Sequence, residues 1–212
     1  YSGTPIGTWD IMATNQTTPQ FANAFMRYIV AGWGNEPTEI SGSGHFTVKA
    51  PTATSTGAES YYYYAGNGDF IVFEYRKNTV GSWDENLTNS GLLVYRIRPF
   101  AAMSEYGNMF SDSTLADTYY IYRPGEIAAN GLPWYRAAQG SLSSATLSSS
   151  NGRSSYGAPY YPDTSLYGYD GSRGSLVAYN VGSTLNDTID FSVKLQYYVS
   201  FDAQGGLGSS SA

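Results

Sequence analysis

The sequence predicts a mainly β protein. We expect an antiparallel, β-sandwich-like architecture with one short helix near the N-terminus. Composition is the first reason, because 21 Tyr and 24 Gly stand against only 11 Lys plus Arg and 17 Asp plus Glu. That balance favours strands and turns over helix bundles. The second reason is a pair of segments, 70–75 and 92–97, that are rich in β-branched, aromatic and Leu residues and follow a glycine or a Gly-Asp break. We expect this pair at the middle of a sheet.

Charged residues interrupt these two apolar segments. Glu74 lies on the first and Arg76 directly follows it; Arg96 lies on the second and Arg98 directly follows it. Residues two apart on a strand share a face, and buried charges persist when they are paired and hydrogen-bonded. We therefore expect Glu74 to bond Arg76, Arg96 or the backbone, in a structural ion pair that fixes strand register. A catalytic role for Glu74 is the alternative.

The first nineteen residues have no clear period and many turn residues, which predicts a loop. Its apolar residues Trp9, Ile11 and Met12 are unusual so close to a chain start. We expect preceding chain or a partner to cover them, because large apolar side chains are seldom left in water.

One helix is predicted after this loop, with Thr18 as its N-cap and Pro19 in its first turn. Gly32 would end it. The apolar residues of this segment recur at intervals of three and four and would pack against a sheet; they are Phe21, Ala24, Phe25, Tyr28 and Ile29.

From residue 39 onward the apolar period changes to two, which predicts short strands joined by hairpins. Further strands are expected at 119–122, 176–180 and 189–198. The sequence divides into a first part, 1–100, a β-rich continuation, 101–203, with an irregular Tyr-, Ser- and Gly-rich segment at 137–174, and a flexible tail or linker, 204–212.

Charge and composition exclude several classes of function. A net charge of -6 without a basic cluster argues against nucleic acid and anionic membrane surfaces as partners. The sequence contains no Cys, which excludes disulfides and thiol chemistry. His45 is the only histidine, and a zinc site needs several His or Cys ligands. We expect His45 to be a surface or hydrogen-bonded residue.

Two kinds of binding site remain as hypotheses. Aromatic rings stack on sugars, and the four consecutive tyrosines at 61–64 place Tyr61 and Tyr63 as candidates for glycan stacking. Calcium takes carboxylate and carbonyl oxygens, and the segment from Asp112 to Asp117 is rich in them. Calcium is therefore a candidate ligand at these two aspartates.

Four fragments, in this order, resemble the immune inhibitor A family of secreted bacterial zinc metallopeptidases. They are Gly7-Thr-Trp-Asp-Ile-Met12, the Pro19-led helix that ends at Gly32-Trp33, Phe73-Glu-Tyr-Arg-Lys77 followed by Trp83-Asp84, and Ser90-Gly-Leu-Leu-Val-Tyr-Arg96.

The resemblance implies that the chain corresponds to the part of such a peptidase downstream of its His-Glu-x-x-His helix, an α+β remnant of the metallopeptidase domain. In that family the helix binds zinc and its Glu activates water. The loop with Asp10 and Met12 would lie beneath the metal. The sequence contains no such helix, so zinc is expected only in the complete protein, whose partners would be the upstream polypeptide and a protein substrate.

This chain alone is expected to be inactive, and its localisation is expected to be secreted or extracellular. The alternative is an extracellular non-enzymatic β-module that binds carbohydrate or self-associates.

Overall fold

The computed structural model describes residues 6–11, 18–66, 68–98, 119–123, 142–157 and 176–196. These residues form eight strands in two sheets, and the fold is mainly β as predicted. The strands are β1 Thr38–Glu39, β2 Gly44–Lys49, β3 Ser60–Gly66, β4 Asp69–Arg76, β5 Gly91–Ile97, β6 Tyr119–Ile121, β7 Leu176–Tyr179 and β8 Thr188–Leu195.

The larger sheet has five strands in the order β1-β3-β4-β5-β6. The pair β4–β5 lies at its centre, as the apolar segments predict, and both strands are buried along almost their whole length. All pairs in this sheet are antiparallel except β1 with β3, which is parallel. The smaller sheet is antiparallel, in the order β2-β8-β7.

An apolar core joins the two sheets. Phe73 of β4 stacks on Phe191 of β8, with ring centroids 5.3 Å apart, and Ile189 and Val193 of β8 are also buried as the alternation predicts. Both sheets contain strands from either side of residue 100. We call the face of the larger sheet that contacts the smaller sheet the inner face, and the opposite one the outer face.

A close approach of two backbones explains the glycine at the start of β5. Gly91 has φ of +154°, and Leu92 exchanges two backbone hydrogen bonds with Leu147. A Cβ on Gly91 would lie 2.6 Å from the carbonyl oxygen of Leu147. Only glycine fits here without displacement of the 145–148 segment.

The helical region is shorter than the sequence predicts. Helical backbone begins at Ala24 and continues as a π-helix over Met26–Val30. Asn23, not Thr18, accepts the hydrogen bond from the Met26 amide; Thr18 instead donates to Glu85. Gly32 ends the segment in the left-handed conformation, as expected. No helix among the described residues has the length and hydropathy to cross a bilayer.

The outer face is covered by the N-terminal part of the chain. Trp9 is only 1% exposed and its indole donates to the carbonyl oxygen of Leu142 at 2.7 Å. The expectation that Trp9 needs another polypeptide to cover it is therefore wrong, because residues of this chain enclose it. Ile11 is partly exposed, and Met12 lies outside the described residues.

Candidate functional site

A buried ion pair lies on the outer face, where the sequence predicts one. Arg76 Nη1 is 3.1 Å from Glu74 Oε1, and both side chains are fully buried. A second carboxylate also binds this guanidinium: Arg76 Nε and Nη2 donate to the two oxygens of Asp84 at 2.7 and 2.6 Å. This fork-to-fork geometry is the strongest arrangement available to a guanidinium and a carboxylate.

The same guanidinium holds two stretches of backbone. Arg76 Nη1 donates to the carbonyl oxygen of Trp9 at 2.7 Å, and Nη2 donates to that of Phe21 at 3.1 Å. Burial alone lowers the pKa of Arg76, but the carboxylates of Asp84 and Glu74 reverse that effect and raise it. One fixed cation therefore connects strand β4 to the N-terminal loop, the segment before the helix and the loop that contains Asp84.

Asn23 extends this arrangement into a second set of bonds. Its backbone amide donates to Asp10 Oδ2 at 2.9 Å, and its side-chain amide donates to the same oxygen. The neighbouring amide of Ala24 donates to Glu74 Oε2, to which the Tyr95 hydroxyl also donates at 3.3 Å. Burial, together with the charge of Glu74, raises the pKa of Tyr95. We call Asp10, Asn23, Glu74, Arg76, Asp84 and Tyr95 the buried polar network.

The charged residues of the buried polar network are closed to solvent and hydrogen-bonded within the chain. Asp10, Glu74, Arg76 and Asp84 are each no more than 1% exposed. The carboxylate oxygens accept from backbone amides, the Arg76 guanidinium, the Asn23 side-chain amide and the Tyr95 hydroxyl. A buried carboxylate with such partners is satisfied. The ion pair predicted between Glu74 and Arg76 is therefore present, and Glu74 is closed to solvent in this arrangement.

Arg96 does not join this pair, and that part of the prediction is wrong. Glu74 lies opposite Leu93 in the β4–β5 register, whereas Arg96 lies opposite Ile71. Arg96 therefore points to the inner face, away from Glu74. Its guanidinium carbon lies 5.5 Å from the centroid of the Tyr120 ring, a distance suited to a cation–π contact.

The described part of the chain does not fit a zinc site. It contains no group of three or more His, Cys, Asp or Glu side chains placed to hold a metal. His45 is exposed on β2, and its Nδ1 is 3.3 Å from Ser192 Oγ, which agrees with its predicted surface role. The calcium candidates Asp112 and Asp117 lie outside the described residues.

An open aromatic groove is a separate feature of the larger sheet. It is lined by Glu39, Tyr62, Tyr64, Gly68 and Phe70 and has a volume of about 340 Å³. We call it the aromatic groove. The glycan candidates Tyr61 and Tyr63 do not line it, because their side chains lie on the inner face and pack against the core between the sheets.

Two parts of these sites escape sequence reasoning. Asp84 is the main partner of Arg76, but it lies in the loop between β4 and β5. Strand periodicity does not predict which loop side chain will lie against a strand. Asn23 joins the network from within the predicted helix. The fragments that resemble the peptidase family do contain Asp84, so they are the one sequence signal that pointed to it.

Comparison with known proteins gives no match for this chain among family models, curated proteins or solved structures.

Proposed function

We propose that this chain is a non-catalytic portion of a secreted zinc metallopeptidase, namely the part downstream of the zinc-binding helix. The observation that carries the proposal is the buried polar network. Each of the four fragments that resemble the peptidase family contributes at least one residue to it: Asp10, Asn23, Glu74 with Arg76 and Asp84, and Tyr95.

This convergence supports the resemblance for a physical reason. Fragments that are dispersed along a sequence keep a common pattern when their side chains must meet, because removal of one partner leaves the others buried and unsatisfied. Trp9 and Arg76 are 67 residues apart and are joined by a hydrogen bond. The fragments therefore act as one unit in this fold.

The function of that unit in a complete peptidase would be to fix the loop after Trp9. Arg76 holds the carbonyl of Trp9, and Asp10 is held by both amides of Asn23. In the proposed peptidase the continuation of this loop through Met12 supports the metal site from beneath. The zinc ligands and the catalytic Glu would come from the upstream polypeptide, and a protein would be the substrate.

The gene sequence upstream of Tyr1 tests this proposal first. We expect a His-Glu-x-x-His segment within a few tens of residues of Tyr1. The product that includes it should bind zinc, measured by atomic emission, and should hydrolyse casein in a chelator-sensitive manner. The 212-residue chain alone should do neither.

A secretion signal that ends directly at Tyr1, or a zinc-free and inactive longer product, would contradict the proposal. Either result would favour the non-enzymatic extracellular β-module instead. An Asp84→Asn variant of the longer product provides a further check, since a loosened loop beneath the metal should lower zinc occupancy. Ile71→Val, on the inner face, is the matched control and should retain zinc.

A further inference from the structure

The edge of the larger sheet next to β3 is only partly covered. β1 pairs with β3 at two positions, Thr38 with Tyr61 and Glu39 with Tyr62. The last bond runs from the Ile40 amide to the Tyr62 carbonyl at 2.7 Å, and the chain then leaves for β2 in the other sheet. β3 itself continues to Gly66. Beyond Tyr62, no described strand lies beside this edge.

The backbone of Tyr64 faces that open edge. Hydrogen-bonding directions alternate along a strand, and the Tyr62 carbonyl points to β1. The amide and carbonyl of Tyr64 therefore point outward as well. No backbone–backbone hydrogen bond among the described residues outside the sheet pairs uses them. Such a pair of groups can accept one further strand by β-augmentation.

The aromatic groove lies directly beside this free edge. Tyr62 and Tyr64 project from the same face of β3, and Phe70 of β4 lies between their rings, with centroids 5.8 and 5.1 Å away. Tyr64 is 48% exposed. The three rings form a continuous surface that an extended side chain could cover.

The charge around the groove is negative. Glu39 lines it, and partial burial followed by the charges of Glu39 and Glu36 raises the pKa of Tyr62. No cationic side chain pairs with either glutamate among the described residues. The nearby Arg98 is bound to Asp69, with Nε 2.7 Å from Oδ1. Aromatic faces beside carboxylates attract cations.

We propose that this edge binds a basic peptide in extended conformation. The peptide backbone continues the sheet at Tyr64 where β1 ends, and a Lys or Arg side chain lies over Tyr62, Tyr64 and Phe70 with its charge toward Glu39. The open backbone groups favour a peptide over a sugar, and the glutamates favour a basic side chain over an acidic one.

The site goes beyond the proposed function because it needs neither zinc nor upstream chain. The register shift between Tyr64 and Gly66 keeps the free edge short, so binding should be weak. Because the proposed contact also depends on charge, the affinity should fall with added salt.

The test is fluorescence anisotropy with the 212-residue chain and a labelled hexapeptide that alternates threonine and lysine. We expect saturable binding that weakens with added salt. It should fall about tenfold or more with Tyr64→Ala, because an exposed ring that anchors the ligand dominates such contacts. A smaller loss of about threefold is expected with Glu39→Gln, which keeps shape and removes charge.

The matched control is Trp33→Ala, which removes an aromatic side chain that is 76% exposed and does not line the groove. Its affinity should equal that of the unmodified chain. A peptide methylated at alternate backbone nitrogens should lose binding because it cannot extend the sheet. Circular dichroism of each variant checks that the sheets are intact.

Three results would overturn the proposal. The first is that a threonine–glutamate peptide binds as tightly as the threonine–lysine peptide. The second is that Trp33→Ala loses as much affinity as Tyr64→Ala. The third is that neutral hexasaccharides bind, the lysine peptide does not, and Tyr64→Ala abolishes the sugar binding. The last would assign the groove to sugars. All three are independent of zinc and of casein hydrolysis, so they leave the proposed peptidase origin untouched.

Discussion

The two faces of the larger sheet are buried by different means. On the inner face, Ile71, Phe73 and Val94 pack against apolar residues of the smaller sheet. On the outer face, Glu74 and Arg76 bond loops through the buried polar network. Apolar burial is non-directional and stabilises many arrangements about equally, whereas a guanidinium with four partners accepts one arrangement. The inner face therefore holds the sheets together, and the outer face decides where the N-terminal loop lies.

Arg76→Met tests this contrast with the largest expected effect. It removes the cation that pairs with both Glu74 and Asp84 and leaves both carboxylates buried. Loss of one partner from a buried ion pair costs about 3–5 kcal/mol. Urea unfolding followed by tryptophan fluorescence should show that loss in the free energy of unfolding.

The control is a triple variant, Glu74→Leu, Arg76→Met and Asp84→Leu, which removes the guanidinium together with both carboxylates that bind it. Replacement of a whole buried ion pair by apolar residues is often neutral or stabilising. The triple variant should therefore recover part of the stability lost in Arg76→Met. If it is less stable than Arg76→Met, the network owes its strength to backbone contacts and not to charge pairing.

Asp84→Asn changes one charge without a change in size. Asp84 accepts from Arg76 Nε and Nη2 with its two oxygens. Asn has one oxygen and one NH₂ group, so the NH₂ group faces one of these donors and that hydrogen bond is lost. Loss of a charge-assisted hydrogen bond costs about 1.5–3 kcal/mol. The same urea experiment measures this loss in the free energy of unfolding. A loss smaller than the error of extrapolation would mean that the bidentate contact between Arg76 and Asp84 adds little stability.

Ile71→Val makes the equally conservative change on the inner face. One methylene is lost from a side chain that is 2% exposed, and such substitutions cost about 0.5–1.5 kcal/mol. We expect the outer-face variant Asp84→Asn to be the more harmful of the two. Equal losses would remove the distinction between the faces.

The central strands could be predicted because both of their faces are buried, which leaves an apolar run with glycine breaks in the sequence. Asp84, the second carboxylate partner of Arg76, could not be predicted from strand periodicity because it lies in a loop. The four tyrosines of β3 show a different limit. When residues of both parities are aromatic, alternation does not tell which pair faces the core, and the structure turns Tyr61 and Tyr63 inward and Tyr62 and Tyr64 to the groove.

The helix start was missed for a related reason. Thr18 and Pro19 have the residue types of an N-terminus, but a tertiary contact takes the Thr18 hydroxyl to Glu85 at 3.0 Å. Asn23 then caps the Met26 amide, and its position is fixed by Asp10. Local capping preference is worth about 1 kcal/mol, less than the roughly 1.5–3 kcal/mol of a hydrogen bond to a charged group such as the buried Asp10.

The smallest expected effect belongs to Glu85, a partly exposed residue of the loop that contains Asp84. The hydrogen bond from the Gly81 amide, then that from the Thr18 hydroxyl, lower the pKa of Glu85 below its usual 4.5. Because the pKa is lower in the folded state, the stabilisation is present above pH 4.5 and is lost as pH falls through the folded value. Glu85→Gln should therefore be less stable than the unmodified chain at pH 7.

The two proteins should converge as the pH is lowered below that value, in thermal unfolding followed by circular dichroism. Added salt should also reduce the difference, because exposed charges are screened. The buried charges of Arg76 and Asp84 are shielded from solvent, so the deficit of Asp84→Asn at pH 7 should change little with salt. A Glu85→Gln deficit that ignores both pH and salt would place this residue with the buried polar network and not with the surface.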